Sequence, residues 1–340
     1  MLIPFVRSSF IGSYRICPHK AFLNYNLGIK EQSRFSTDAG TATHKALELL
    51  AQKKLAQQKG QYYFENEVFG NTKCVVDSID ERTAFSTAWW YCKDTLPHKE
   101  WDDSEQKHKY WEMYKAILAS EYNPLKLEII QPEQYFDITI EEDWARYKYN
   151  INGEKFEGFL SVKGTMDLIF QNDGYISGMD YKTGKTRVDW ATGKIKGLAE
   201  LREDRQLLLY SWAIKKLFGC DEFSIIMYYL QAGGPYEVSF DKQTFKVAEG
   251  MLKDYFVEIS NNQKPTLAKN SANFYDKRKC QWCDYNKVRP EISKNKTVCE
   301  YYADGIVNLG MAKIINRDAS PEKIFSYTGG GRNFTEKAAD

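Results

Sequence analysis

The sequence predicts an α/β or α+β fold organised around one strand-rich segment. Three observations support this prediction. Apolar residues recur at helical spacing in the first third of the chain. Short runs rich in β-branched and aromatic residues follow between about residues 133 and 182. A helix, a strand and a helix are then expected up to about residue 262, an order typical of these fold classes.

The N-terminal third is expected to be helical. A first helix is predicted over residues 8–30, where Ser8 or Ser9 can cap its start and Gly28 can end it. A second helix is predicted over about residues 41–55, and residues 80–123 also have a helical pattern. This last stretch contains four tryptophans: Trp89, Trp90, Trp101 and Trp111. Most of them are expected to pack in the core, although tryptophan can also stack on unpaired bases.

The middle of the chain is expected to form the sheet. Strands are predicted over residues 133–141, 145–151, 155–163, 164–170 and 175–182. A helix over about 203–218, a strand over 223–231 and a helix over about 241–262 follow. The remaining residues are polar and contain three of the cysteines.

The composition is that of a soluble globular protein, with 43% hydrophobic and 27% charged residues among 340. No apolar run approaches the length of a membrane span, and the N-terminus is too polar for a secretory signal. A cytoplasmic protein without a membrane partner is therefore expected. Because the net charge is only +1, any surface that binds nucleic acid must be local. Seven cysteines, an odd number, argue against a disulfide scaffold and for metal ligands or buried thiols.

The strongest local feature is a predicted hairpin around Asp173-Gly174, a pair that favours a two-residue turn. With that turn, facing residues have numbers that sum to 347, so Asp167 lies directly across from Asp180. Lys182 shares the face of Asp180, because side chains alternate along a strand. The opposite face is predicted to be core and carries Met166, Leu168, Phe170, Met179 and Tyr181.

Two carboxylates that face each other across strands repel, unless a divalent cation lies between them. Oxygen ligands of this kind suit Mg²⁺ or Mn²⁺, and the adjacent lysine can orient a water or stabilise charge on a phosphate. The alternative interpretation of the hairpin alone is an exposed face with ordinary solvated charges. The segment from Gly178 to Thr186 resembles a phosphate-binding loop, but five residues separate its glycines where four are required, so we reject that interpretation.

Two predicted helices carry polar residues that can support this site. His44 shares a helix face with Gly40 and Glu48, and a neutral imidazole can be a third ligand for Mn²⁺ or Mg²⁺. Gln206 and Tyr210 align in the same way on a later helix. Taken alone, a histidine on a helix is usually structural, and the later helix is an ordinary amphipathic one.

Taken together and in order, the motifs resemble the RecB-like branch of the PD-(D/E)XK nucleases. The segments that carry the resemblance are SSFIGSYRICPHKAFLNYNLGI, GTATHKALELL, GTMD, DYKTGK and QLLLY, which span about residues 8–215. The resemblance implies a restriction-endonuclease-like core, in which a mixed central sheet is flanked by helices. It also implies metal-dependent hydrolysis of DNA phosphodiesters, with exonuclease action the favoured form.

The resemblance also implies roles for individual residues. Four metal ligands are implied: His44, Asp167, Asp180 and the backbone carbonyl of Tyr181. Lys182 is the implied catalytic lysine, and Gln206 and Tyr210 would hold the site or contact DNA. Glu133 begins a strand where relatives often carry a glutamate. Four cations after the hairpin can grip phosphates: Lys185, Arg187, Lys194 and Lys196.

Four cysteines are expected to bind one cofactor. Cys280 and Cys283 form a C-x-x-C pair, Cys299 follows 16 positions later, and Cys17 lies in the first helix. Four thiolates suit a 4Fe–4S cluster or tetrahedral zinc. Some RecB-like nucleases, including the AddB type and CRISPR-associated exonucleases, take one cysteine from the N-terminal region and three from the C-terminus. The gap before Cys299 is longer than in that family, and the alternative is a packed Cys17 beside an incidental or zinc-binding pair. Three other cysteines are interpreted as ordinary residues: Cys74, Cys92 and Cys220.

The predicted organisation has four segments. They are an N-terminal helical region over 1–130, a nuclease core over 131–265, a cysteine-bearing segment over 266–327 and a flexible tail over 328–340. DNA, either single-stranded or as duplex ends, is the expected partner, with a separate helicase or a recombination or adaptation protein as a further one. Two other functions are weighed: a non-catalytic DNA-binding or assembly module on the same fold, and a zinc-stabilised interaction protein. The second would leave the facing aspartates unexplained.

Overall fold

The structure, a computed structural model, describes residues 1–172, 174–270, 278–319 and 321–325. Its helices are α1 Ser8–Ile16, α2 Pro18–Ala21, α3 Phe35–Gln58, α4 Glu81–Thr95, α5 Ser104–Ala119, α6 Leu198–Arg202, α7 Arg205–Phe218, α8 Lys242–Asn261, α9 Val298–Leu309, α10 Met311–Asp318 and α11 Pro321–Phe325. Its strands are β1 Phe5–Val6, β2 Tyr63–Asn66, β3 Thr72–Val75, β4 Glu128–Thr139, β5 Arg146–Ile151, β6 Glu154–Phe159, β7 Ser161–Asn172, β8 Tyr175–Lys182, β9 Phe223–Tyr229 and β10 Tyr236–Phe240.

Two predicted helices are interrupted where a proline follows. The helix predicted over 8–30 ends at Ile16, because Pro18 forces Cys17 into an extended conformation with φ −163°. The stretch predicted over 80–123 divides into α4 and α5, and Leu96 before Pro97 is likewise extended. Both predictions were wrong at the same kind of residue, the one that precedes a proline.

The strand predictions hold over most of the sheet. β8 has the predicted bounds, whereas β4 begins five residues before the predicted residue 133. Leu160 separates β6 from β7, instead of the predicted break after residue 163. The strands that were not predicted are β1, the β2–β3 hairpin and β10.

The main sheet is mixed, and its central strand β7 changes neighbours along its length. β4 pairs antiparallel with β7 along one edge. On the other edge, β1 pairs with the first residues of β7 in parallel, and β8 pairs with its last residues, antiparallel. β9 then continues the sheet parallel to β8, and β10 follows antiparallel. Between these two neighbours, just before Leu168, the middle of β7 has no paired strand on that edge among the described residues.

Helices cover both faces of this sheet, so the predicted fold class is confirmed. One apolar layer holds α3, α4 and α5 against side chains such as Leu168, Phe170, Met179 and Tyr181. The other holds α1, α7, α8 and the C-terminal helices against side chains such as Ile169 and Ile225. Met166, predicted to share a face with Leu168, is buried in this second layer instead. Within the described ranges, no helix combines the length and apolar character needed to cross a bilayer.

Gly164 provides a test of the β4–β7 packing. Gly164 faces Phe136, and a methyl group at Gly164 would overlap the buried phenyl ring. We therefore expect Gly164→Ala to lower the free energy of unfolding by about 1–3 kcal/mol in urea titrations. Gly250→Ala is the control, because open space surrounds Gly250 in α8 and alanine is the better helix former, by about 1 kcal/mol. Equal urea midpoints for Gly164→Ala and the wild type would contradict this packing.

Candidate active site and cysteine cavity

The gap in β7 brings two acidic residues together. The observed β7–β8 register runs from Leu168 facing Met179 to Asn172 facing Tyr175, and all these pairs sum to 347 as predicted. Asp167 and Asp180 are the next two residues along these strands. Both are largely enclosed, with side-chain exposures of 12% and 5%. The turn residue Asp173 itself lies outside the described residues.

Asp180 is held from the α7 side of the sheet. Its Oδ1 accepts hydrogen bonds from Gln206 Nε2 at 2.7 Å and from the Tyr210 hydroxyl at 3.1 Å. Tyr210 is itself fixed, since its hydroxyl lies 2.8 Å from the carbonyl oxygen of Thr165. The other oxygen, Oδ2, lies 2.5 Å from Lys182 Nζ, but among the described atoms it accepts no hydrogen bond of acceptable geometry. One buried carboxylate oxygen is thus left with an ion pair alone.

Asp167 is held from the α3 side. Its Oδ2 accepts a hydrogen bond from the Tyr181 backbone amide at 2.7 Å and lies 3.2 Å from His44 Nδ1. Glu133 in β4 lies opposite Asp167 in β7, since the residues before and after each of them are paired across the two strands. The backbone of Glu133 has a φ of 45°, which is unusual for a residue other than glycine. The charge of Glu133 also acts on the pKa of His44, so this carboxylate belongs to the same neighbourhood.

The electrostatics show that this site resists holding two negative charges. Burial raises the pKa of Asp180, and the carboxylate of Asp167 adds to that effect, so the pKa stays above its usual value despite Lys182. Burial also acts to raise the pKa of Asp167, but His44 and Lys182 outweigh it, and that pKa is lowered. Burial lowers the pKa of both His44 and Lys182, yet the nearby aspartates outweigh it and raise both values. A cation beside Asp180 would favour its charged form.

An open cavity of about 590 Å³ gives access to this group, and His44 and Lys182 both line it. Lys185 lines it too, as expected of a phosphate contact. Lys109 of α5 also lines it. Burial lowers the pKa of Lys109, and the charge of nearby Lys185 lowers it further. Sequence reasoning missed Lys109, because nothing local distinguishes one lysine of a charged helix from another.

Two of the cations predicted to bind phosphates interact with other groups of the protein. The Arg187 guanidinium stacks 4.6 Å from the centre of the Tyr236 ring. Lys196 pairs with Asp204, which caps the start of α7 through the backbone amides of Gln206 and Leu207. Lys196 therefore supports the helix that carries Gln206 and does not line the cavity.

Close contact between α3 and the segment after β8 aligns His44 with the aspartates. Gly40 faces Thr183, and a methyl group at Gly40 would overlap the Thr183 hydroxyl. We expect Gly40→Ala to lower the free energy of unfolding by about 1–3 kcal/mol, although alanine favours helices. Adding Thr183→Ala removes the overlapping atom and should restore most of that loss in a double-mutant cycle. Additive effects of the two substitutions would show that these residues do not touch.

The four predicted cofactor cysteines line a second cavity of about 530 Å³: Cys17, Cys280, Cys283 and Cys299. Their electrostatic effects on one another show that they are neighbours. A hydrogen bond with Cys299 lowers the pKa of Cys283 to about 7, and the same contact raises the pKa of Cys299. Burial, followed by the charges of Cys17 and Cys283, raises the pKa of Cys280.

The long gap before Cys299 is closed by a turn of the chain. Val288 and Thr297 form an isolated antiparallel bridge, and the Val298 amide donates to the Lys287 carbonyl. This return brings Cys299, at the start of α9, back to Cys283. The unusual spacing is therefore compatible with a shared site.

Neither group is a completed metal site. Across residues 1–172, 174–270, 278–319 and 321–325, no set of three or more His, Cys, Asp or Glu side chains has the spacing of a formed one. The fold brings the candidate ligands into two neighbourhoods without a finished coordination sphere. The predicted ligand roles, including that of the Tyr181 carbonyl, stay predictions.

The mixed sheet, its flanking helices and the acidic pair beside a lysine define a restriction-endonuclease-like protein. A family model described as the PD-(D/E)XK nuclease superfamily matches residues 9–288, and the chain belongs to that superfamily. The match does not distinguish the RecB-like branch. No curated protein shows significant sequence similarity to the chain.

The chain is similar to two solved structures at low identity and low TM-score. One is a candidate exonuclease from Eubacterium rectale, 13% identical, with 88% of this chain and 93% of that chain covered at a TM-score of 0.44. The other, SSO0001, is 15% identical, with 72% of this chain and 95% of that chain covered at a TM-score of 0.26. At such low identity and TM-score, neither likeness says anything about what this chain binds or cleaves.

Proposed function

We propose that this chain is a metal-dependent DNA nuclease of the RecB-like branch that acts as an exonuclease. The observation that carries the proposal is the meeting of Asp167 and Asp180 across β7 and β8, with Lys182 against one and His44 against the other. Both carboxylates are buried, and burial and the charge of Asp167 raise the pKa of Asp180, a perturbation typical of functional sites. Superfamily membership supports nuclease chemistry independently.

The residues of this site fit a divalent cation. Asp180 Oδ2 is buried, and among the described atoms its ion pair with Lys182 lacks hydrogen-bond geometry. Carboxylate oxygens with one imidazole suit Mg²⁺ or Mn²⁺. In this proposal Asp167, Asp180 and His44 hold the ion, with the Tyr181 carbonyl as a further ligand. The bound ion would activate a water and stabilise charge on the phosphate.

The protein's own groups supply position and charge. Gln206 and Tyr210 fix the orientation of Asp180, leaving its second oxygen directed away from their hydrogen bonds. The Lys182 ammonium, kept charged by the two aspartates, stabilises the negative charge that develops on the phosphate. Lys109 and Lys185 attract the neighbouring phosphates of the strand into the cavity.

Digestion of end-labelled linear and circular DNA, single- and double-stranded, tests this function. We expect linear DNA to be degraded with Mg²⁺ or Mn²⁺ and to remain intact in EDTA, and circular DNA to resist. Cutting of circles as fast as linear strands would make the enzyme an endonuclease. DNA that stays intact under every condition, with a folded protein, would favour a non-catalytic binding module and reject the proposal.

The same proposal assigns a 4Fe–4S cluster to Cys17, Cys280, Cys283 and Cys299. Four thiols around one cavity support it, since each can become the thiolate that a metal requires when the metal binds. Zinc is the alternative for the same ligands. Iron and sulfide analysis of the anaerobically purified protein separates them, because zinc without iron or sulfide would reject the cluster.

A further inference from the structure

Two exposed tryptophans line the cysteine cavity. Trp190 is 64% exposed and Trp282 is 73% exposed, and both contribute to its wall. Cys17 and Cys299 are buried, so the indoles lie on the outer side of the cavity and the thiols on the inner side. Large aromatic side chains exposed together around a cavity mark a binding surface.

The backbone around each indole is fixed although the ring is free. Arg34 donates a hydrogen bond to the Trp282 carbonyl at 2.6 Å. On either side of Trp190, Arg15 pairs with Asp189 at 3.0 Å, and Lys279 donates to the Ala191 carbonyl at 3.0 Å. An exposed ring on a held backbone loses little conformational entropy on binding, which suits it to stack on a flat partner.

The charge around the indoles suits a polyanion. Five cationic residues line the same cavity: Lys20, Arg34, Lys269, Arg278 and Lys279. Lys20 and Lys269 have the acidic partners Glu31 and Glu300, and Arg278 and Lys279 make further contacts, so these four cations present only part of their charge. Basic side chains interleaved with aromatic rings are the usual means of holding a nucleic-acid strand without reading its sequence.

The surface is also continuous with the candidate active site. Arg34 lines the cysteine cavity, and Ser36, two residues later at the start of α3, lines the cavity of Lys182. Trp190 follows only eight residues after Lys182 along the chain. The two cavities therefore adjoin at the start of α3.

We propose that the Trp190–Trp282 surface binds an unpaired DNA strand, with bases stacked on the two indoles and phosphates against the surrounding cations. This inference rests on the proposed nuclease function and adds the preferred substrate, a single strand. A paired base is already stacked within its duplex and cannot stack on these rings, so duplex DNA gains only from the cations.

The test measures the affinity of a fluorescent single-stranded oligothymidylate in a Lys182→Ala background, which prevents its cleavage. We expect Trp190→Ala and Trp282→Ala each to weaken binding roughly 5- to 150-fold, the effect of one lost stacking partner. The phenylalanine variants at both positions should recover most of this loss, because a ring is kept. Trp90→Ala is the matched control, since Trp90 is 50% exposed on α4 and lies outside both cavities.

Because Trp282 lies between two cofactor cysteines, Trp190→Ala is the decisive variant, and metal content is measured for each protein. Wild-type affinity in Trp190→Ala and Trp282→Ala would overturn the inference, as would equal losses for the single strand and the duplex. If the wild type cleaves DNA and these affinities are unchanged, only the inference fails. If the wild type cleaves no DNA with Mg²⁺ or Mn²⁺, the proposed function fails instead.

Discussion

Lys182→Ala is expected to lower the rate of DNA cleavage at saturating Mn²⁺ by at least about 100-fold, as for other lost transition-state donors. Lys182 Nζ lies 2.5 Å from Asp180 Oδ2, inside the cavity where a phosphate would bind. The same substitution should lower the unfolding temperature of the metal-free protein. It removes the cation that offsets two buried carboxylates, and leaving a buried charge unpaired is costly.

Asp180→Asn is expected to lower the rate of cleavage at least as strongly as Lys182→Ala, but to shift the unfolding temperature in the opposite direction. The pKa of Asp180 is raised, mainly by burial and further by Asp167, so the ionised side chain opposes folding at neutral pH. Asparagine is neutral, and its side-chain oxygen can still accept from Gln206 and Tyr210. The metal-free variant should therefore be more stable than the wild type, and added Mn²⁺ should stabilise it less.

Lys148→Ala serves as the control for both variants, because Lys148 forms an exposed surface pair with Glu157 in the β5–β6 hairpin. In Lys148→Ala, the cleavage rate and the unfolding temperature should both stay at wild-type values. Measuring cleavage of labelled single strands and thermal unfolding, with and without Mn²⁺, covers all three proteins. If Lys182→Ala cleaves as fast as Lys148→Ala, the proposed role of the lysine is wrong.

The sequence predicted the β7–β8 register beside this site because that register depends on local rules. The predicted two-residue turn and the alternation of side chains give the observed pairs from Leu168 to Asn172, and Asp167 and Asp180 are the next residues on the two strands. The helix that carries Gln206 was predictable for the same reason, since its apolar face repeats at helical spacing.

Features that depend on distant parts of the chain were not predictable. Lys109 reaches the cavity only because α5 packs beside α3, and no nearby motif marks it. Met166 joins the layer opposite that of Leu168 near the point where β7 changes neighbours, an irregularity that alternation cannot reveal. The tryptophans that sequence reasoning weighed for base stacking include Trp89 and Trp101, both buried. The most exposed indoles belong instead to Trp190, in a turn, and Trp282, in a short 3₁₀ helix.

Cys283→Ala is expected to remove the bound cofactor and to lower the free energy of unfolding by more than about 4 kcal/mol, as when a structural metal is lost. The four thiols join an N-terminal segment to the C-terminal one, across most of the chain. Weaker contacts already bridge these segments, since the Tyr285 hydroxyl donates to the Ile29 carbonyl and Asp284 accepts from the Gln32 amide. A cofactor would lock that junction, and its loss would leave such weaker contacts to hold it.

Cys220→Ser is the matched control, because Cys220 is half-buried at the end of α7 and lies outside the cysteine cavity. Its metal content should match that of the wild type. Its free energy of unfolding in urea should stay within about 0.5 kcal/mol of the wild-type value. Thermal scans and metal analysis under anaerobic conditions compare the two variants directly. A Cys283→Ala protein that keeps its metal and its stability would show that the cavity is not a cofactor site, whereas the Lys182 predictions would be unaffected, since they rest on other residues.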